Sequence, residues 1–270
     1  MTYQTSPAGT CYQVSGDGEA IVLIHGVGLD QFMWGGQLVS LTPSYKTITY
    51  DMLGHGHSHQ PSDSANLKDY ADQLKELLNH LQVEKACVIG FSMGGLVARA
   101  FALHYPEHLN AMVIMNSVFN RTEKQRERVK ARTKEVAVKG PAANIEPAID
   151  RWFSPEYVAA NPAQVNATRK RLKNNSHMGY LKTYELFANS DNYMVEQLSE
   201  VKIPTLVLTG ELDVGSTPQM TYALAECMPE AKAEVLDGER HMMPVESPKQ
   251  VNDSLQRFLT TIYNRPDNQE

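Results

Sequence analysis

Six short apolar runs alternate with stretches of helical periodicity, and this alternation limits the architecture more than any other feature of the chain. The runs are Ala20–Ile24, Thr47–Tyr50, Ala86–Ile89, Met112–Met115, Thr205–Leu208 and Ala233–Leu236. They are rich in Val, Ile and Leu, as strands covered on both faces must be. Between them, Leu67, Tyr70, Leu74, Leu77, Leu78 and Leu81 share one helix face, and Val251, Leu255, Phe258, Leu259 and Ile262 share another near the C-terminus. Ser247-Pro248 supplies that last helix with a cap and a first-turn proline. The pattern predicts a mostly parallel, doubly wound α/β sheet and argues against a bundle or a sandwich.

The alternation stops after Met115. From about Phe119 to Gln197 the pattern is helical throughout, which predicts a core of residues 1–117 and 199–270 interrupted by a helical cap at 118–198. Ser117 to Leu198 carries 14 Lys and Arg against 9 Asp and Glu, or +5, so the rest of the chain must carry −11 to reach the overall −6. Prolines at 141, 147, 155 and 162 are expected to chop the insertion into short helices, as in a lid whose members pivot. The tail Asn264–Glu270 is expected to fray.

The acidic balance argues against nucleic acid as a partner. With 42% hydrophobic and 21% charged residues in 270, the chain has ordinary globular usage and is not disordered. Cys11, Cys87 and Cys227 are too few and too widely spaced for a disulfide framework, and read as buried, reduced thiols. Neither a basic-then-apolar leader nor an 18-residue apolar run occurs, so a soluble, cytoplasmic protein with no membrane partner is expected.

Gly90-Phe91-Ser92-Met93-Gly94-Gly95 lies between the run Ala86–Ile89 and the helical stretch Leu96–His104. In that setting G-x-S-x-G describes a sharp strand-to-helix turn that strains the central residue and presents Ser92 outward, with glycines where side chains would collide with backbone. A serine hydroxyl is a weak nucleophile near neutral pH, so it needs a base in reach and a carboxylate to orient that base. His241 follows the last run and is the candidate base. Asp213 follows Thr205–Leu208 and is the candidate acid; Glu211 is its rival, set aside because Asp213 lies deeper in the loop. The oxyanion formed on attack needs fixed donors. The Met93 amide is expected to be the first and the Val27 amide, in His25-Gly26-Val27-Gly28, the second. His25 itself reads as structural.

With these features in place the sequence resembles the α/β-hydrolase superfamily, and within it the capped carboxylesterases, enol-lactonases and cofactor-free haloperoxidase-like enzymes. Asp51-Met52-Leu53-Gly54-His55-Gly56-His57-Ser58 is similar to that family's D-x-x-G-H-G-x-S loop, and the helical insertion falls in the usual cap position. The piece Arg151-Trp152-Phe153-Ser154-Pro155, with Ala160-Asn161-Pro162 and Gly179-Tyr180, looks like enol-lactonases of aromatic catabolism. Phe91 before the nucleophile is similar to the esterases, whereas ring-cleavage-product C–C hydrolases usually have Asn there. A serine at position 92 departs from the aspartate of haloalkane dehalogenases and epoxide hydrolases.

The resemblance and the residues together imply a serine carboxylesterase for small soluble esters, working through an acyl-enzyme without metal or organic cofactor. The alternatives are a lactone hydrolase similar to 3-oxoadipate enol-lactonase, then a C–C hydrolase or a non-catalytic ligand receptor. Trp34, Phe91, Phe119, Trp152, Phe153, Val214 and Met242 are the apolar candidates for the substrate pocket between core and cap. His55-Gly56-His57-Ser58-His59 could be taken for a metal-binding string, but it lacks the following Asp-His of metallo-hydrolases, and the family loop accounts for His55 as structural. The basic stretch from Arg121 to Lys139, including Arg126, Arg128, Lys130, Arg132 and Lys134, reads first as a solvated amphipathic helix. Its sharper reading is a surface that attracts a carboxylate-bearing substrate.

Overall fold

Strand β1 (Gln4–Thr5), β2 (Cys11–Ser15), β3 (Ala20–Ile24), β4 (Lys46–Tyr50), β5 (Ala86–Phe91), β6 (Leu109–Met115), β7 (Thr205–Gly210) and β8 (Ala231–Leu236) join in one sheet, ordered β1-β2-β4-β3-β5-β6-β7-β8. The coordinates are a computed structural model that describes residues 3–263, so the 264–270 tail lies outside the described residues. From β4 through β8 every neighbouring pair is parallel, while β1 and β2 add an antiparallel edge. The six apolar runs fall inside β3 to β8. The edge pair was not anticipated, because β1 is two exposed residues and β2 is buried only over its first half.

Strand pleating explains why the inner runs are apolar without alternation. Val22, Ile24, Val88, Met112 and Ile114 face one core, and their neighbours Ile21, Leu23, Cys87, Ile89 and Val113 face the other. Helices cover both faces. Helix α1 (Gly35–Leu41) covers one and α2 (Leu67–His80) and α3 (Met93–His104) the other. Between β6 and β7 run α4 (Glu123–Lys139), α5 (Ile145–Trp152), α6 (Pro155–Ala160), α7 (Pro162–Lys173) and α8 (His177–Asn189). Helix α9 (Pro218–Glu226), α10 (Met243–Glu246) and α11 (Pro248–Tyr263) complete the chain. The α2 stripe buries Leu67, Tyr70, Leu74, Leu77 and Leu78, and a reciprocal Asn66–Asp69 capping box opens the helix.

In the helical segment the prolines open helices more than they break them. Pro155 and Pro162 occupy the first positions of α6 and α7, where a missing N–H costs nothing, and Pro147 sits in the first turn of α5. Helix α4 runs unbroken for 17 residues. Cys11 and Cys87 are buried as expected; Cys227 corrects the expectation, since it follows α9 and is partly exposed.

The loops that carry the candidate site residues leave the same edge of the sheet. Residues 25–28 follow β3, Asp51 follows β4, Ser92 follows β5, Asn116 follows β6, Asp213 follows β7 and His241 follows β8. This is the carboxyl edge of the parallel strands, where open α/β sheets place their ligand sites.

Candidate active site

Ser92 sits at the turn between β5 and α3 with φ 55° and ψ −114°, a left-handed conformation costly for a residue with a Cβ. Close packing of backbone holds it there. A Cβ on Gly90 would stand 2.1 Å from the Gly94 carbonyl oxygen, and one on Gly94 would stand 2.3 Å from the Ile24 carbonyl oxygen. The Ser92 amide donates to the Met115 carbonyl and the Ser117 hydroxyl donates to the Ser92 carbonyl, both at 2.8 Å, which locks the turn to the end of β6. The Met93 amide heads α3, so it lacks an intrahelical acceptor.

His241 and Asp213 meet because the loops after β7 and β8 are braced together. The Leu212 amide donates to the Glu239 carbonyl at 2.8 Å and the Glu211 amide to the Leu236 carbonyl at 2.9 Å. The approach is tight enough that a Cβ on Gly210 would stand 2.3 Å from the Glu239 carbonyl oxygen. His241 Nδ1 lies 2.6 Å from Asp213 Oδ2. Asp213 Oδ1 accepts from the Gly215 and Ser216 amides at 2.8 and 2.9 Å, and Oδ2 accepts from Asn116 Nδ2 at 3.0 Å. Burial by itself would raise the Asp213 pKa. The charge and hydrogen bond of His241, with the Asn116 and Ser216 donors, outweigh burial and hold the carboxyl below its ordinary 3.8. Glu211 is exposed and accepts from the Gly238 amide instead.

The loop after β3 is fixed by two buried imidazoles in edge-to-face contact, their centroids 4.9 Å apart. His55 Nε2 accepts from the Gly28 amide at 2.9 Å, and His25 Nε2 accepts from the Met52 amide at 3.0 Å. Burial pushes the His25 pKa down to about 3 and His55 well below its ordinary value, so both are neutral near pH 7. Asp51 binds the Gln31 and His57 amides at 3.0 Å each, tying the Asp51–Ser58 loop to the same corner. His55 thus has both ring nitrogens engaged, and His57 stacks on Tyr3. Among the described residues no group of three His, Cys, Asp or Glu side chains is placed to hold a metal ion.

Ser92, His241 and Val27 open onto one cavity of about 190 Å³ beneath the helical segment. That is smaller than the roughly 300–1,000 Å³ of sites for drug-sized ligands. A wider depression, about 630 Å³, lies at the amino edge of the strands around Gly18, Lys46 and Lys85, away from these groups. The segment is fastened over the cavity by its contacts with the core. The Met242 amide donates to the Trp152 carbonyl at 3.0 Å, the Ser154 amide to the Glu246 carboxylate at 3.1 Å, and Asn175 Nδ2 to the Gly28 carbonyl at 2.8 Å.

Of the seven apolar pocket candidates, Trp152 and Val214 line this cavity, Trp152 with its ring 5.8 Å from that of His241. The other five are corrected. Phe91 is fully buried behind His241, its centroid 5.0 Å from the imidazole, and Trp34 packs edge-on against it. Phe153 stacks on Tyr157, Phe119 lies under the Arg99 guanidinium, and Met242 borders a separate hollow with Leu29 and Met33. All five side chains are buried in the core, Phe91 from the end of β5, Trp34 from the turn before α1 and Phe119, Phe153 and Met242 from connecting segments, a direction that spacing along the chain does not reveal. Several lining residues were not anticipated: Asn144, Arg151, Tyr180, Tyr184 and Phe187 come from the helical segment, and Asn116 stands behind Asp213. Asn116 carried one usable signal, its position immediately after β6. Arg128 and Arg132, assigned first to a solvated helix face, also border the cavity.

No helix among the described residues is long and apolar enough to cross a membrane. Comparison with known proteins agrees with the fold. Similar proteins include the (E)-2-((N-methylformamido)methylene)succinate hydrolase of Acinetobacter baylyi, 33% identical over 93% of this chain and 94% of that protein. The 3-oxoadipate enol-lactonase 2 of the same organism is 30% identical over 90% and 89%. A thermophilic esterase from Thermogutta terrifontis, solved with malate bound, superposes with a TM-score of 0.86 at 26% identity over 97% of this chain and 98% of its own. A profile of the alpha/beta hydrolase fold matches residues 19–248, most of the chain, and the chain belongs to that family of hydrolases.

Proposed function

We propose that this protein is a serine hydrolase of small carboxylic esters, with Ser92 as nucleophile, His241 as base and Asp213 as the acid that orients it. The observation that supports this most directly is the buried Asp213–His241 pair at 2.6 Å, whose imidazole shares a cavity wall with the strained Ser92. In this reading Ser92 Oγ attacks the carbonyl carbon while His241 Nε2 takes its proton. The oxyanion is received by the Met93 and Val27 amides, and the tetrahedral species then collapses, breaking the carbon–oxygen bond as His241 returns the proton to the leaving alkoxide. Water, activated by the same histidine, hydrolyses the acyl-enzyme and restores Ser92. Asp213 stays ionised and stabilises the imidazolium. Residues 118–198 serve as a cap that excludes bulk water from these steps.

A lactone is the second substrate type, favoured by the likeness to an enol-lactonase over most of both chains. The chemistry is the same, with the leaving alkoxide tethered to the acyl group. The test is hydrolysis of 4-nitrophenyl esters from acetate to dodecanoate and of small lactones by pH-stat, with Ser92→Ala as control. Turnover with a burst of one nitrophenolate per protein, absent in Ser92→Ala, is expected. An active Ser92→Ala protein would overturn the mechanism, and slow stoichiometric release without turnover would favour a ligand receptor.

A further inference from the structure

The wall of the cavity that holds Ser92 and His241 contains four guanidinium groups, Arg121, Arg128, Arg132 and Arg151, and no aspartate or glutamate. Among the described residues, Arg121 is the one of the four with an ion pair. It lies 3.5 Å from the buried Asp191, a carboxylate it shares with Arg126 at 3.0 Å, donates to the Phe187 carbonyl at 3.1 Å and rests on the Phe187 ring. Arg132 donates through Nε to the Tyr184 hydroxyl, a neutral acceptor. Arg128 and Arg151 have no hydrogen-bond or ion-pair partner among the described residues.

Arg151 is the most telling of the four. It is partly buried at the end of α5, and both burial and the nearby charge of Arg132 pull its pKa below the ordinary value. A guanidinium stays protonated throughout the working range, so the two like charges are held together at a cost. Buried charges are ordinarily paired, and an arginine fork matches a carboxylate in two parallel hydrogen bonds. A second, independent sign is Asn144. It is 4% exposed, its side chain borders the same cavity, and its Nδ2 donor has no partner. Three uncompensated positive charges and an orphan donor describe a site built for an acceptor with more than one negative charge.

We infer that the substrate is a dianion, a small ester, lactone or comparable acyl compound bearing two carboxylates, seated with those groups on Arg128, Arg132, Arg151 and Asn144 and its scissile carbonyl at Ser92. Arg128 is exposed and hydrated, so the half-buried Arg132 and Arg151 are the charges left to match, one carboxylate each. The aromatic and apolar lining, Trp152, Tyr180, Tyr184 and Val118, takes the short carbon skeleton between the charged ends. The inference rests on the serine-hydrolase reading only for the bond that breaks. The recognition itself can be measured without turnover.

Three chromogenic esters separate the charge from the chemistry: 4-nitrophenyl butyrate with no carboxylate, the mono-4-nitrophenyl ester of glutarate with one, and that of tricarballylate with two. The value of kcat/KM is expected to climb across this series by at least tenfold in all. In Arg151→Met the ratio of the two-carboxylate to the no-carboxylate ester should fall at least tenfold, through KM more than kcat. Arg128 is exposed, so Arg128→Gln keeps the test open if Arg151→Met fails to fold, and it should lower the same ratio. Calorimetry with free glutarate, which carries two carboxylates, on the wild-type protein and on Arg151→Met reads binding alone. Binding that Arg151→Met weakens, without hydrolysis of any ester, would sustain the dianion site and sink the hydrolase reading. Equal kcat/KM across the three esters with no glutarate binding would overturn the dianion site and leave the hydrolase reading standing. Neither binding nor hydrolysis would overturn both.

Discussion

Replacing Asn116 by glycine isolates what holds the candidate acid in place. Asn116 has φ 48°, a conformation that asparagine tolerates and glycine adopts freely, so the change deletes the amide without the backbone strain that alanine would add. The amide supplies one of the four hydrogen bonds to Asp213, and one of the two on Oδ2, the oxygen that faces His241. A hydrogen bond to a charged partner contributes about 1.5–3 kcal/mol. If the transition state feels the whole loss, kcat/KM falls about 10- to 150-fold at about 1.36 kcal/mol per decade. Because Gly215 and Ser216 still pin Oδ1, the lower end is expected.

The pH profile carries the more specific signature. Asp213 is held below its ordinary pKa by donors that favour the ionised form, so removing one lets that pKa rise. Activity that needs the carboxylate is lost as pH falls through its folded pKa, and in Asn116→Gly this loss must begin at higher pH. The assay is kcat/KM for a neutral 4-nitrophenyl ester from about pH 2.5 to 9, a window that extends below the ordinary carboxyl value of 3.8, with urea denaturation alongside to record stability. A variant destabilised by the full 1.5–3 kcal/mol or so but with kcat/KM within twofold of wild type and an unmoved acid limb would refute the positioning role.

Further outcomes follow from the same geometry. Gly90→Ala should lower stability by about 1–3 kcal/mol or more, because the new Cβ would press on the backbone carbonyl of Gly94, which cannot rotate away; an unchanged urea midpoint would contradict this. Raising NaCl from 20 to 500 mM should reduce kcat/KM for a dianionic ester several-fold and for a neutral ester by less than twofold, since exposed charges such as Arg128 are screened as the Debye length shrinks. Burial pushes the Cys11 and Cys87 thiols up to about 12, so both remain protonated at pH 8, while Cys227 is partly exposed. Native protein should therefore release one equivalent from a thiol reagent and three after unfolding, and fast labelling of two or more native thiols would sink that reading.

What was legible in the sequence had local causes. Strands β3 to β8 could be read because a strand buried on both faces is apolar without interruption, and the turn at Ser92 because only glycine fits beside it at 90 and 94. The order of Ser92, Asp213 and His241 followed from where the strands end. The antiparallel edge was not legible, since two or five half-exposed residues leave no periodic trace.

Tertiary structure decided everything that depends on direction. Phe91 and Trp152 are both aromatic residues expected at the pocket, yet one faces the core behind His241 and the other the cavity, because strand pleat and helix rotation orient them. Asn116 and Asp213 are brought together by strand pairing between β6 and β7 across a long insertion. Arg128 and Arg132 share a face of α4 four residues apart, but no spacing links them to Arg151 in the last turn of α5, and only the packing of those helices over the sheet turns a basic sequence into a charged chamber. Composition determines how much charge the chain carries, but where that charge meets Ser92 is set by packing between elements distant in sequence.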